Sequence, residues 1–152
     1  MKPIISHVDK ELILSELSQL EKVRDTHYGG NEIYVFDALH SPNLMREVAR
    51  LREEAFRSGG GGTGEELDID EDDTASDGYH QLIAWSPKDQ EIIGGYRYII
   101  SHEKHPHHMS TEHYFKFSEL FREDYLPYTI ELGRAFVQLK YQASGDSRSI
   151  YA

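Results

Sequence analysis

The sequence predicts an α+β domain: a mixed central sheet with flanking helices. Three observations predict it. The chain has 152 residues, one domain on the usual scale of roughly 100–200 residues. Its periodic segments run helix, strand, helix, loop, strand, strand, short helix, strand, and no internal repeat is visible. A strand, a long helix and then a β-meander do not alternate as a doubly wound parallel sheet requires.

The first helix is expected over residues 9–24, where Ile13, Leu17 and Leu20 stand at i, i+4 and i+7. Gly29-Gly30 breaks the pattern, and residues 32–39 are rich in β-formers. Residues 1–31 therefore read as an N-terminal helical extension, and 32–152 as the domain proper. Ser41-Pro42 offers an N-cap and a first-turn proline, and Leu44, Val48, Leu51 and Ala55 follow at helical spacing, which predicts a helix over 42–57. Residues 58–64 hold five glycines and no apolar anchor, which predicts a mobile loop. Residues 79–86 and 91–101 form a hairpin through Pro87-Lys88-Asp89-Gln90. A polar loop over 102–113, a short aromatic helix over 114–122 and a strand over 128–137 complete the pattern, and the last fifteen residues have no clear period.

Composition excludes several classes of function. With no cysteine, disulfides, thiolate metal sites and cysteine nucleophiles are ruled out. No apolar run reaches the ~18 residues of a membrane span and the start has no signal-peptide pattern, so a cytoplasmic protein is expected. The net charge is −11, but residues 65–77 hold eight acids and no base, so the acidity is local. That sign repels phosphate backbones, and no nucleic-acid partner is expected. Glu65 and Glu66 likewise stand where a phosphate loop would carry Lys-Ser or Lys-Thr.

Four motifs carry chemistry. Arg52 and Phe56 end the long helix, Asp68-Ile69-Asp70-Glu71-Asp72-Asp73 follows the glycines, Gly94-Gly95-Tyr96-Arg97 lies within a strand, and Glu131-Leu132-Gly133-Arg134 lies near the end. In this order they resemble the GNAT-fold N-acyltransferases, in particular the branch of acyl-homoserine-lactone synthases and hemolysin-like ornithine- and glycine-lipid N-acyltransferases. The resemblance covers about residues 33–141. It implies substrate-binding roles for Arg52, Phe56, Asp70, Asp73 and Arg97, and catalytic roles for Glu131, as the strand base, and Arg134. It also implies an acyl carrier protein or coenzyme A thioester as co-substrate, no tightly bound cofactor, a small amine or amino acid as acceptor, and a protein that meets a membrane only peripherally, through its lipid product. Two departures separate the chain from the lactone synthases. The glycine run replaces their tryptophan after the phenylalanine, and Asp68 stands where their first glutamate would be, which favours the amino-acid-acylating relatives.

Plainer readings stand beside this one. Glu131 and Arg134 could form a structural ion pair, the acidic run a solvated linker, and the whole chain a non-catalytic binding or assembly module with part of a GNAT-like sheet. His102, His105, His107, His108 and His113 lack a carboxylate at ligand spacing and read as surface residues, with no metal expected. The resemblance further implies a carrier-binding turn and helix after the fourth strand, where this sequence offers only Ser144-Gly145-Asp146-Ser147. The expectation is the N-terminal portion of a longer acyltransferase, inactive alone and self-associating as a homo-oligomer through the edge at 128–137.

Overall fold

The computed structural model describes residues 1–101 and 109–142. Its strands are β1 (Lys22–Asp25), β2 (Glu32–Phe36), β3 (His80–Ser86), β4 (Glu91–Ile100) and β5 (Ile130–Val137), and its helices α1 (Lys10–Leu17), α2 (Pro42–Ser58), α3 (Glu71–Thr74) and α4 (Leu139–Gln142). The strands form one sheet in chain order, β1-β2-β3-β4-β5, and every neighbouring pair is antiparallel. The α+β class and the four expected strands are present, and all pairing among the described residues is antiparallel.

Helix α2 covers one face of the sheet because its stripe fits. Leu44, Val48, Leu51 and Ala55 are all buried, against Tyr34, Phe36, Ile83, Trp85, Ile92 and Phe136 of the strands and Ile13 and Leu17 of α1. Burying each large side chain of this kind stabilises by roughly 1.5–3 kcal/mol. The start of α2 is capped differently from the expectation. Ser41 makes no side-chain cap bond. Instead Glu16 of α1 accepts from the Asn43 and Leu44 amides at 3.0 and 2.8 Å, which meets two of the helix's unpaired donors and ties α1 to α2.

Three local expectations are corrected. The first helix stops at Leu17, and residues 22–25 form a fully exposed strand whose backbone extends the sheet beyond β2. Val23, 58% exposed, lies outside the apolar stripe that holds the helix on the core. The aromatic helix over 114–122 is displaced along the chain: Ser110–His113 makes a 3₁₀ turn, and a π-type turn at Phe121–Tyr125 leads into a second 3₁₀ turn at Leu126–Tyr128. Ser118 sets that start by accepting from the Phe121 and Arg122 amides.

The glycine run is the third. Gly59, Gly60 and Gly61 donate their amides to carbonyls of the last turn of α2, and a Cβ on Gly62 would lie 2.9 Å from Arg57 Cα. The anchor is Glu53, whose carboxylate accepts from Thr63 N, Thr63 Oγ1, Gly64 N and Arg57. A buried polar anchor thus holds a segment that has no apolar one. The N-terminal residues run beside it, with Lys2 N donating to Gly64 O and Arg57 donating to the Lys2 carbonyl.

Candidate functional site

The polar end of the α2 face carries the site. Asp70 caps the single turn α3: its carboxylate accepts from the Asp73 amide, and Asp73 reciprocally accepts from the Asp70 amide. The Asp-x-x-Asp spacing is therefore a capping box, and it also aims both carboxylates at the sheet. Gln81 of β3 and Arg97 of β4 face them, as a paired register position of the hairpin. Close strand approach is needed just before Arg97, since a Cβ on Gly95 would fall 2.2 Å from the Leu82 carbonyl oxygen.

On β5 the chain bulges. Between the pairs Gly95–Phe136 and Arg97–Gly133, β4 has one residue and β5 has two. Arg134 takes the left-handed conformation, φ 53°, and a non-glycine residue held there stores of order 1–3 kcal/mol of strain. The bulge delivers its guanidinium to Asp68 and, at 2.7 Å, to Asp70 Oδ2.

Asp70 bridges two arginines, with Arg97 Nη1 2.7 Å from its other oxygen. Arg52 reaches both oxygens of Asp73 at 3.1 Å and also donates to Gln81. Arg97 extends to Asp72 at 3.3 Å and Ser110 Oγ at 2.8 Å. Three guanidiniums and four carboxylates thus interlock, and a cleft of about 310 Å³ opens beside them, lined among others by Asp70, Asp72, Arg97, Ser110, Tyr114 and Arg134. Buried charges are kept only when paired in this way.

Electrostatics differ across the cluster. Burial lowers the pKa of Arg52 in spite of Asp73, and burial followed by the like charge of Arg52 lowers that of Arg134. Burial opposes ionisation of Asp73, but Arg52 and Arg97 outweigh it and hold the carboxyl below its ordinary value. Asp70 goes the other way, raised by burial against the Arg97 hydrogen bond.

Each expected residue has a definite place. Arg97, Arg134 and Asp70 meet at the cleft. Arg52 and Asp73 have no exposed side-chain surface, so they hold the cluster and reach no solute directly. Phe56 packs on the core. Glu131 sits on β5 under the 110–113 turn, where Thr111 N, Thr111 Oγ1 and Tyr79 Oη donate to it at 3.0, 2.7 and 2.7 Å; it makes no ion pair with Arg134. Asp72, Tyr79, Gln81, Ser110 and Thr111 carry no expected site role from the sequence, and Asp68 enters there only as the residue in place of the lactone synthases' first glutamate. Only the two acids carried a signal, through their place in the acidic run. No group of three metal-ligating side chains occurs among the described residues; His102, His105, His107 and His108, and Ser144-Gly145-Asp146-Ser147, lie outside them. No described helix is long and apolar enough to cross a membrane.

Residues 51–150 match a family described as the acetyltransferase (GNAT) domain. The glycine N(alpha)-acyltransferase of Phocaeicola vulgatus is 47% identical over 158 residues, taking in all of this chain and 48% of that protein. The glycine N(alpha)-acyltransferase of Bacteroides thetaiotaomicron is 46% identical, over all of this chain and 47% of its own length. The chain spans about half the length of these curated relatives. No solved structure matches it.

Proposed function

Since this chain belongs to the GNAT acyltransferase family, we propose that it forms the acceptor-handling portion of a glycine N-acyltransferase. The reaction moves a fatty acyl group from a thioester of acyl carrier protein or coenzyme A to the amine of glycine. The observation that carries this reading is the cluster of Arg97, Arg134, Asp70 and Asp72 around one cleft, together with relatives named for glycine acylation.

A zwitterion suits that cleft. The exposed edges of Asp70 and Asp72 attract its ammonium group, and Arg134, 28% exposed, attracts its carboxylate. Transfer needs a neutral amine. The ammonium loses a proton, its nitrogen attacks the thioester carbonyl carbon, and the C–N bond forms as the C–S bond breaks, the thiolate leaving to be protonated. Glu131 is the proposed proton acceptor and Arg134 the charge beside the reacting centre. Glu131 does not line the cleft, and Tyr79 and Thr111 occupy three of its roughly four acceptor sites, so in this reading the 110–111 turn shifts to let the amine reach it.

The test is transfer of a labelled acyl group from acyl carrier protein or coenzyme A to glycine, with ornithine as the competing acceptor. It is run with the chain alone and with the chain joined to the remaining half of the Phocaeicola vulgatus relative. Transfer to glycine by the joined protein is expected, with Glu131→Ala lowering it by roughly 10²–10⁴. An inactive joined protein removes the reading, and an unimpaired Glu131→Ala variant removes the base.

A further inference from the structure

We propose that Tyr79 is a positioning residue of this site: its hydroxyl aims the Glu131 carboxylate and holds the 110–111 turn against the arginine cluster. The proposal rests on the acyl-transfer reading above.

Tyr79 precedes β3 and is 1% exposed. Its hydroxyl donates to Glu131 Oε2 at 2.7 Å and accepts from the Ser110 amide at 2.8 Å. An amide can only donate, so the single phenolic proton is committed to the carboxylate. Ser110 Oγ, 3.1 Å from the same hydroxyl, accepts from Arg97 and donates to Asp72. The Tyr79 ring lies under the Arg97 guanidinium, 4.5 Å from centroid to Cζ, which suits a cation–π contact. One side chain therefore touches the strand acid, the turn and the central arginine.

Packing alone does not account for this arrangement. A phenylalanine would serve the ring contact, whereas the hydroxyl bridges two polar groups in a buried setting: without it the Ser110 amide would lose this acceptor, and Glu131 would keep only its Thr111 donors. Burial pushes the phenol up to about 12, so it stays protonated and acts as a donor to Glu131. Tyr79 does not line the cleft, so it acts through Glu131 and Ser110.

The test compares wild type with Tyr79→Phe, which keeps the ring. Amide hydrogen exchange on the chain itself is expected to speed up at least about tenfold at Ser110 and Thr111. In the form active in the transfer assay, kcat is expected to fall about tenfold, with the glycine KM changed less. The decisive reading is a double-mutant cycle with Glu131→Gln: a residue acting through Glu131 gives strongly non-additive losses in kcat, whereas a merely structural one gives additive losses. Unchanged exchange or additive losses overturn the proposal. If Tyr79→Phe does not fold, difluorotyrosine at position 79 keeps ring and hydroxyl but ionises more readily; an alkaline fall in rate absent from wild type supports the proposal, and an unchanged profile overturns it. If no form transfers acyl groups, the acyl-transfer reading falls on its own while the exchange measurement still decides the anchoring.

Discussion

Arg52 and Glu53 are neighbours on α2, both without exposed side-chain surface, and each anchors an ion cluster of a different kind. Glu53 is saturated: it takes two bonds from Arg57, two from Thr63 and one from Gly64. Arg52 belongs to a cluster that is not. Among the described residues, the buried side-chain nitrogen and oxygen atoms without a hydrogen-bond partner are Arg52 Nε, Arg97 Nε and Asp68 Oδ2, all in or beside that cluster, and the same cluster borders the cleft. A buried carboxylate whose donors are all supplied by its own chain has nothing left for a ligand, and its work is to hold the glycine run. A cluster with charges shared among several partners, one strained arginine and an open side keeps capacity in reserve, as binding sites do.

Substitution separates the two. Glu53→Gln is expected to cost about 3–5 kcal/mol, because it breaks a buried pair and strands the donors of Arg57, Thr63 and Gly64. Urea denaturation measures this, and a cost near zero would erase the distinction. Asp70→Asn is expected to cost less, about 1–2 kcal/mol, since Asp70 is one-third exposed and asparagine still accepts from Arg97. Its larger effect falls on function, with a rise of at least about tenfold in the glycine KM as the charge facing the ammonium is lost. An Asp70→Asn protein with normal KM and large instability would make this cluster as structural as the other.

Parts of this contrast were legible in the sequence and parts were not. The apolar spacing of Leu44, Val48, Leu51 and Ala55 fixes α2 because helix periodicity is a local property, and four ordered motifs pointed to the family. Asp70 and Asp73 were singled out, and their three-residue spacing carried the capping box in plain view. Glu16 capping α2 and Glu53 anchoring Thr63 depend on contacts 28 and 10 residues away, which no local pattern announces. The glycine run therefore read as a free loop. Tyr79 read as the start of a strand, because nothing in its neighbours reveals Glu131 fifty-two residues on. The exposed strand β1 reads as part of the helix pattern because its one apolar residue, Val23, flanks the Ile13, Leu17 and Leu20 stripe at helical spacing.

The smallest expected effect lies in the acid dependence of folding, and it has opposite signs at Glu53 and at Asp70. In spite of burial, the hydrogen bonds from Thr63 and Arg57 hold the Glu53 carboxyl at about 2. A carboxyl depressed on folding contributes stability that is full above its unfolded value, near ~4.3, and is lost as pH falls through the interval down to about 2. Asp73, also depressed, works in the same direction. Asp70 is raised, so its contribution is full at low pH and is lost as pH rises through its folded value. Urea midpoints measured from about pH 6 to about pH 3 should therefore fall less steeply in Glu53→Gln than in wild type, and slightly more steeply in Asp70→Asn. Parallel profiles in all three proteins would mean that neither carboxyl is perturbed by its cluster. A flattening in Asp70→Asn would reverse the assignment of which cluster holds its charge for stability.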